Sequence, residues 1–215
     1  MTARAPCSRS CGGLAARRFG RVALAGEPPA RGRLIAGFWL DAQRAVWLRT
    51  ANAADGERLT AEAGLQAELA LPGVATVVEH GVALGMAYVA VHGPGRPLAH
   101  DDASGRDMPT ALAVGAAVAR VLRAVALVGV ALPDAGAERF LHAPPLLVTL
   151  ADLDGARRAE PAVGAAEHAA LVAALARELL PAGVARECDD HLARGADLPR
   201  LIAWLERAAL RADRD

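Results

Sequence analysis

Short apolar runs rich in β-branched residues, separated by turn-forming residues, occupy the first half of the chain. A segment with helical periodicity, 57–71, interrupts them: Leu59, Leu65 and Leu69 lie on related faces, and Pro72 ends it. Three strands before the helix and two after it predict an antiparallel sheet of five strands that carries one helix. The runs are 21–25, 34–40, 45–50, 74–79 and 86–91.

The second half of the chain has mainly helical periodicity. From Pro109 onward this pattern is interrupted by a loop at 133–136 and by one β-type run at 146–150. In the last helical segment, 197–211, Asp197 can cap the first turn. This half therefore predicts a mostly helical unit with one short β segment.

A stretch rich in Gly and Pro at 93–96 separates the two patterns and predicts a domain boundary. We therefore expect an α+β protein of two lobes, with a sheet lobe over 21–93 and a shortened helical lobe over 94–215. Residues 1–20 are rich in Gly and Arg and predict a flexible tail.

The charge balance argues against binding by general electrostatic attraction. Lys plus Arg number 24 and Asp plus Glu number 24, so the formal net charge is +0 and the sequence predicts no binding of nucleic acid. All of the basic residues are arginine. The absence of lysine excludes Schiff-base chemistry and a lysine grip on phosphate, because both need a primary amine.

The longest apolar stretch, 111–132, contains Arg120 and Arg123 one helical turn apart. Two charges near the centre of a lone span are costly in lipid, so we predict a buried helix and no membrane span. The three cysteines cannot form a complete set of disulfide bridges, which favours a reducing, cytoplasmic setting.

Four segments carry the residues with the most distinctive chemistry: 46–49, 62–74, 129–141 and 148–157. In this order and at these spacings they resemble the V-A-I-K strand, the αC helix, the catalytic loop H-R-D-x-x-x-x-N and the D-F-G segment of the protein-kinase-like superfamily. The resemblance covers nearly the whole chain and implies the two-lobed kinase fold.

The resemblance also implies a role for particular residues. Arg49 stands where the kinase fold has its nucleotide-gripping Lys, and Glu62 stands in the place of the αC Glu. Asp134 keeps the place of the catalytic base and Asp152 that of the metal-binding Asp, whereas Arg139 replaces the Asn metal ligand.

Two further segments depart from the kinase pattern. Gly26 and Gly32 bound a remnant of the phosphate-covering turn that contains two prolines and the acidic Glu27, so we expect the phosphate cradle to be lost. Asp152 and Asp154 form a D-x-D that resembles small bacterial lipopolysaccharide kinases, and Asp154 is a second candidate metal ligand. Too few residues follow for a full activation segment.

The two arginine replacements weaken the chemistry that the resemblance implies. The planar guanidinium of Arg49 is a poor substitute for an ammonium group, and Arg139 places a permanent cation where Mg²⁺ needs an oxygen ligand. If the loop is one residue shorter, Glu138 is instead the ligand and Arg139 points outward.

Simpler explanations stand beside these roles. Arg49 and Glu62 could form an ordinary surface ion pair. Asp152 and Asp154 could cap a turn, and Asp134 could belong to one. The six histidines have no ligand spacing and predict surface or interface positions.

The leading hypothesis is therefore a pseudokinase: a catalytically impaired kinase-fold protein that regulates or scaffolds by binding a protein partner, with at most weak binding of ATP and Mg²⁺. The alternative is an active small phosphotransferase that uses Asp134 as base and Asp152 with Asp154 for metal to phosphorylate a sugar or another small molecule. A third alternative is an unrelated α+β binding module.

Overall fold

The computed structural model describes residues 18–24, 34–100 and 107–214. The described residues form a mixed α and β structure whose largest sheet is antiparallel and has the strand order β1-β2-β3-β4-β6-β5. The elements of this part are β1 Arg18–Phe19, β2 Val22–Leu24, β3 Ile35–Trp39, β4 Arg44–Ala51, α1 Gly56–Leu69, β5 Thr76–Ala83 and β6 Met86–His92.

This sheet has six strands, so the prediction of five is wrong. The additional strand, β1, lies inside the segment predicted as a flexible tail. Phe19 is fully buried with its ring edge-on to Tyr88, and Gly20 turns the chain at a φ of +54°. A side chain at Gly20 would collide with Glu79, which accepts a hydrogen bond from the Arg21 amide. Burial of one aromatic ring and one carboxylate contact therefore fix the end of the predicted tail onto the sheet.

The hairpin of β5 and β6 is longer than its sequence pattern predicts. The gap between the predicted runs 74–79 and 86–91 reduces to a turn of Leu84 and Gly85, both with positive φ, as a type I′ hairpin turn requires. Val82, which lies in that gap, continues β5 and is 75% exposed.

The remaining elements form small sheets and a group of helices. β9 pairs antiparallel with both β10 and β7, and β8 pairs with β11. The elements are β7 Arg96–Pro97, α2 Met108–Leu127, β8 Val130–Ala131, β9 Phe140–Ala143, β10 Leu147–Leu150, β11 Arg157–Arg158, α3 Pro161–Leu179, α4 Ala182–Ala193 and α5 Leu198–Ala212.

The structure confirms the last predicted helix and its cap. Asp197 Oδ1 accepts a hydrogen bond from the Arg200 amide at 3.0 Å and caps α5. Helix α4 lies in the half of the chain with mainly helical periodicity, but the sequence analysis does not delimit it as a separate helix. It buries Ala185 and Cys188.

Helix α2 lies at the centre of the largest core and packs against α3 and α5. Within the described ranges it is the one helix long and apolar enough to cross a membrane, but 61% of that apolar window is buried inside the protein. Arg120 reaches the surface and pairs with Glu206 of α5 at 2.6 Å. Most of the apolar window of α2 is therefore buried against the rest of the protein, as the prediction of a buried helix expects.

Backbone hydrogen bonds join the segment between α1 and β5 to strand β10. The amide of Leu150 donates to the carbonyl of Gly73, and the amide of Ala75 donates to the carbonyl of Leu150, both at 2.8 Å. Gln66 of α1 is buried and donates to the carbonyls of Ala75 and Ala151. These bonds hold residues 152–155, here called the acidic turn, against α1.

One buried histidine fixes the loop that begins at Leu132. His168 of α3 is fully buried, its Nε2 accepts from the Leu132 amide at 2.9 Å, and its Nδ1 lies 2.8 Å from the Leu122 carbonyl. These partners require a neutral ring that donates through Nδ1 and accepts through Nε2. The prediction of a surface or interface position is wrong for His168, because its two hydrogen bonds compensate for its burial.

We expect the contribution of His168 to stability to depend on pH. Burial lowers the pKa of this imidazole below its ordinary value of 6.5, so in the window below pH 6.5 the unfolded chain binds more protons than the folded one. The stabilising effect is therefore present above pH 6.5 and is lost as the pH falls. Urea unfolding of wild type and His168→Gln from pH 8 to pH 5 tests this: the stability difference between them should shrink toward acid, and a constant difference would contradict it.

A glycine inside α2 allows a second test of the packing. A Cβ at Gly115 would lie 3.8 Å from Leu205, an ordinary contact beside a small apolar crevice. Gly115→Ala should raise the free energy of unfolding by about 1 kcal/mol, because alanine favours the helix. The control is Gly164→Ala in α3, where the Cβ would lie 3.1 Å from the Val130 carbonyl oxygen, so that strain offsets the helix preference. Equal stabilisation by both changes, measured by chemical denaturation, would contradict the packing described.

Candidate functional site

Arg49 lies at the centre of a buried group of ion pairs. It projects from β4, and its side chain is only 8% exposed. Its Nη1 lies 2.5 Å from Asp152 Oδ1, and its Nη2 lies 3.2 Å from Glu62 Oε2. One guanidinium group therefore joins the sheet, the helix α1 and the acidic turn after β10.

Glu62 completes the link between α1 and the acidic turn. Its side chain is 5% exposed, and its Oε1 accepts a hydrogen bond from the Gly155 amide at 2.7 Å. Burial raises the pKa of the Glu62 carboxyl, while the Gly155 amide and the Arg49 charge act in the opposite direction. Each Glu62 oxygen therefore already has a protein donor.

The acidic turn is held by its own backbone as well as by Arg49. Asp152 Oδ1 accepts from the Asp154 amide at 2.8 Å, and Gly155 follows with a φ of +73°. The Asp152 side chain is 4% exposed, and burial raises the pKa of its carboxyl against the opposing Arg49 and Arg139 charges. Asp152 thus caps the turn, as one of the two explanations from the sequence predicts, and it also pairs with Arg49.

Asp154 faces a third arginine that the sequence analysis did not single out. Its Oδ1 lies 3.0 Å from Arg58 Nη1 and 3.7 Å from Arg49 Nη2. Arg58 lies on α1 one turn before Glu62, so it reaches the same side of the helix. That spacing was the available signal, but it carries little weight without knowledge of what α1 packs against.

Arg139 points inward. It is buried, its Nη1 donates to the Asp154 carbonyl at 2.6 Å, and its Nη2 lies 3.3 Å from Asp134 Oδ2. Glu138, the residue before it, is exposed and its carboxylate lies over Gly136. The alternative register, in which Glu138 faces inward and Arg139 points outward, is therefore wrong.

Asp134 is the most accessible member of the group. Its side chain is 80% exposed and contacts Arg139 alone among the ion pairs of the described residues. Gly26 and Gly32, the remnant of the phosphate turn, lie outside the described residues. The structure thus brings six of the eight predicted site residues into one network: Arg49, Glu62, Asp134, Arg139, Asp152 and Asp154.

The carboxylates of this network do not offer a free ligand set for Mg²⁺. Asp152 Oδ1 is shared by Arg49 and the Asp154 amide, and both Glu62 oxygens are engaged. Mg²⁺ requires several oxygen ligands at about 2.1 Å in octahedral geometry. Over 18–24, 34–100 and 107–214, no group of three or more His, Cys, Asp or Glu side chains is arranged to hold a metal ion. The donor set fits three guanidinium groups better than a divalent cation.

The burial of Arg49 and Glu62 decides whether they form an ordinary surface ion pair or a buried one. Exposed ion pairs contribute less than about 1 kcal/mol, because water screens them and their side chains lose entropy. Arg49 and Glu62 are 8% and 5% exposed, so they do not form a surface pair. Loss of one member leaves its partners charged and desolvated.

Comparisons with known proteins add no family assignment. No protein-family model matches the sequence, and a search of curated proteins gives no significant match. The chemistry of the site is therefore argued from its own residues.

Removal of Arg49 should destabilise the protein strongly. Arg49→Met leaves Glu62 and Asp152 buried without their shared cation, and we expect a loss of about 3–5 kcal/mol in the free energy of unfolding at pH 7.5. The loss should be smaller at pH 4.5, because burial already raises the pKa of both carboxyls and protonation removes their charge.

The matched control is Arg177→Met. Arg177 pairs with Asp189 at 2.7 Å, but these side chains are 61% and 38% exposed, so the change should cost less than about 1 kcal/mol at either pH. Urea denaturation of both variants measures the contrast. Similar losses for the two, or a loss for Arg49→Met that does not shrink in acid, would refute the described role of Arg49.

Proposed function

We propose that this chain is a degenerate protein-kinase-like protein, a pseudokinase, that regulates or scaffolds by binding another protein and does not transfer phosphate. The observation that carries the proposal is the contact of Arg49 with Asp152 at 2.5 Å. A guanidinium group neutralises the carboxylate that, in the resemblance, would bind the catalytic metal.

The architecture supports the fold that the resemblance implies. An antiparallel sheet carries one helix, α1, and the helices α2 to α5 follow this sheet along the chain. We interpret 21–93 and 94–215 as the two lobes of a kinase-like fold. The contact between Arg49 and Glu62 at 3.2 Å corresponds to the Lys and Glu pair of active kinases, with arginine in place of lysine.

The charges in the network argue against phosphoryl transfer. That reaction needs cations free to contact phosphate oxygens and carboxylates free to hold Mg²⁺. Here Arg49 and Arg139 are turned toward Asp152, Asp154 and Asp134, and each cation satisfies a carboxylate or a carbonyl of the protein. Because these arginines and carboxylates pair with one another, the cations are not free for phosphate and the carboxylates are not free for Mg²⁺.

The active small phosphotransferase is the second candidate, and the exposure of Asp134 favours it. A base that accepts a proton from a sugar hydroxyl must be reachable, and Asp134 is 80% exposed beside the acidic turn. This candidate requires Arg49 and Arg139 to leave Asp152 and Asp154 when nucleotide binds. We place the protein in the cytoplasm under either candidate, on the basis of its cysteine content.

Thermal unfolding with nucleotide tests the proposal. We expect the melting temperature of the wild type to be unchanged by ATP with Mg²⁺ compared with Mg²⁺ alone, because Arg49 already engages the carboxylates of Asp152 and Glu62. The double variant Arg49→Lys/Arg139→Asn restores an amine and an amide at the two positions. It should gain stabilisation by ATP that depends on Mg²⁺, whereas Arg177→Lys, the same exchange at an exposed pair, should not.

A different outcome would favour the second candidate. Stabilisation of the wild type by ATP that depends on Mg²⁺ and is lost in Asp152→Asn would contradict the pseudokinase proposal. ATP hydrolysis or sugar phosphorylation lost in the same variant would establish the phosphotransferase in its place.

A further inference from the structure

Helix α5 carries a row of exposed arginines along one edge of its outer face. Its helical members are Arg200, Arg207 and Arg211, whose spacings of seven and four residues at about 100° per residue place the three side chains within about a ninth of a turn. These three extend over about 16 Å at 1.5 Å per residue. Arg214 is also exposed and follows two residues after the end of α5 at Ala212.

These arginines are not engaged in ion pairs of the protein itself. Within the described parts of the chain, none of the four forms an ion pair, whereas the neighbouring Arg120 pairs with Glu206 and Arg177 with Asp189. The opposite face of α5 is buried and supplies its packing energy through residues such as Leu201 and Leu205. The row is therefore free to meet carboxylates from another molecule.

The surroundings of the row decide what kind of anion fits it. Leu210, 62% exposed, lies beside the arginines and offers an apolar contact. Glu206 and Asp213 lie about a third of a turn away on the same exposed face, and the whole chain has a formal net charge of +0. A membrane or a nucleic acid presents an extended field of phosphates that these acids repel, and it attracts a protein through its summed charge. A protein segment can place individual carboxylates against individual guanidinium groups and an apolar side chain on Leu210.

We propose that this row is the docking surface for an acidic segment of a partner protein. The inference rests on the binding role proposed above and gives that role a location and a partner chemistry. Each guanidinium group donates two hydrogen bonds to a carboxylate in a bidentate pair, and the length of the row matches a segment of several residues.

A direct binding measurement with the full chain tests this surface. The probe is a fluorescein-labelled peptide rich in glutamate, and its all-glutamine counterpart is the charge control, both followed by fluorescence anisotropy at low ionic strength. The wild type should bind the glutamate peptide and not the glutamine peptide. Arg200→Gln/Arg207→Gln/Arg211→Gln/Arg214→Gln should weaken that binding about tenfold or more, since four charge pairs are lost.

A second quadruple variant controls for net charge. It changes four exposed arginines from other elements to Gln, and it should bind the peptide within about threefold of the wild type. The control positions are Arg18, Arg44, Arg96 and Arg186. Melting temperatures near that of the wild type establish that both variants are folded.

The remaining outcomes overturn the inference. These are no binding of the glutamate peptide by the wild type, equal weakening by both quadruple variants, or tighter binding of phosphatidylserine vesicles or single-stranded DNA through the same four arginines. The thermal shift with ATP and Mg²⁺, made on the same samples, reports on the pseudokinase proposal separately. A positive shift there with an intact peptide result defeats that proposal and leaves the docking surface standing.

Discussion

The structure of the site depends on one guanidinium group. Arg49 touches Asp152 and Glu62 at once, and so it holds β4, α1 and the turn after β10 in register. A lysine ammonium is more compact and lacks the planar fork that lets one arginine bridge two carboxylates. The chain contains no lysine, and the cations that contact the carboxylates of this network are the three arginines Arg49, Arg58 and Arg139.

A buried network of this kind fixes the relative positions of the elements more readily than it raises the free energy of unfolding. The transfer of charges from water into a protein interior costs several kcal/mol for each ion, and their mutual attraction returns about as much only when the geometry is good. Burial raises the pKa of both Asp152 and Glu62, which reflects that cost. The benefit lies in the fixed position of α1, since Glu62 binds Arg49 through one oxygen and the Gly155 amide through the other.

Local signals in the sequence predicted much of this fold, and tertiary contacts account for most of the rest. The helix α1, the cap at Asp197 and the central strands follow from periodicity and capping chemistry. Strand β1 depends on the burial of one aromatic ring, Phe19, which the composition of the predicted tail does not indicate. Within the site, motif order predicted the pairing of Arg49 with Glu62 but not its burial. Arg58 and His168 needed the packed structure, because a single residue on a helix face carries no signal of its own.

The central claim is that guanidinium groups engage the carboxylates that would hold a divalent metal in the proposed kinase-like fold. Titration with Mn²⁺, followed by electron paramagnetic resonance of the free ion, tests it most directly because Mn²⁺ takes the same oxygen ligands as Mg²⁺. The account predicts that wild type and Asp152→Asn leave the same amount of Mn²⁺ free. Uptake of one Mn²⁺ per chain by the wild type, lost in Asp152→Asn, would contradict it.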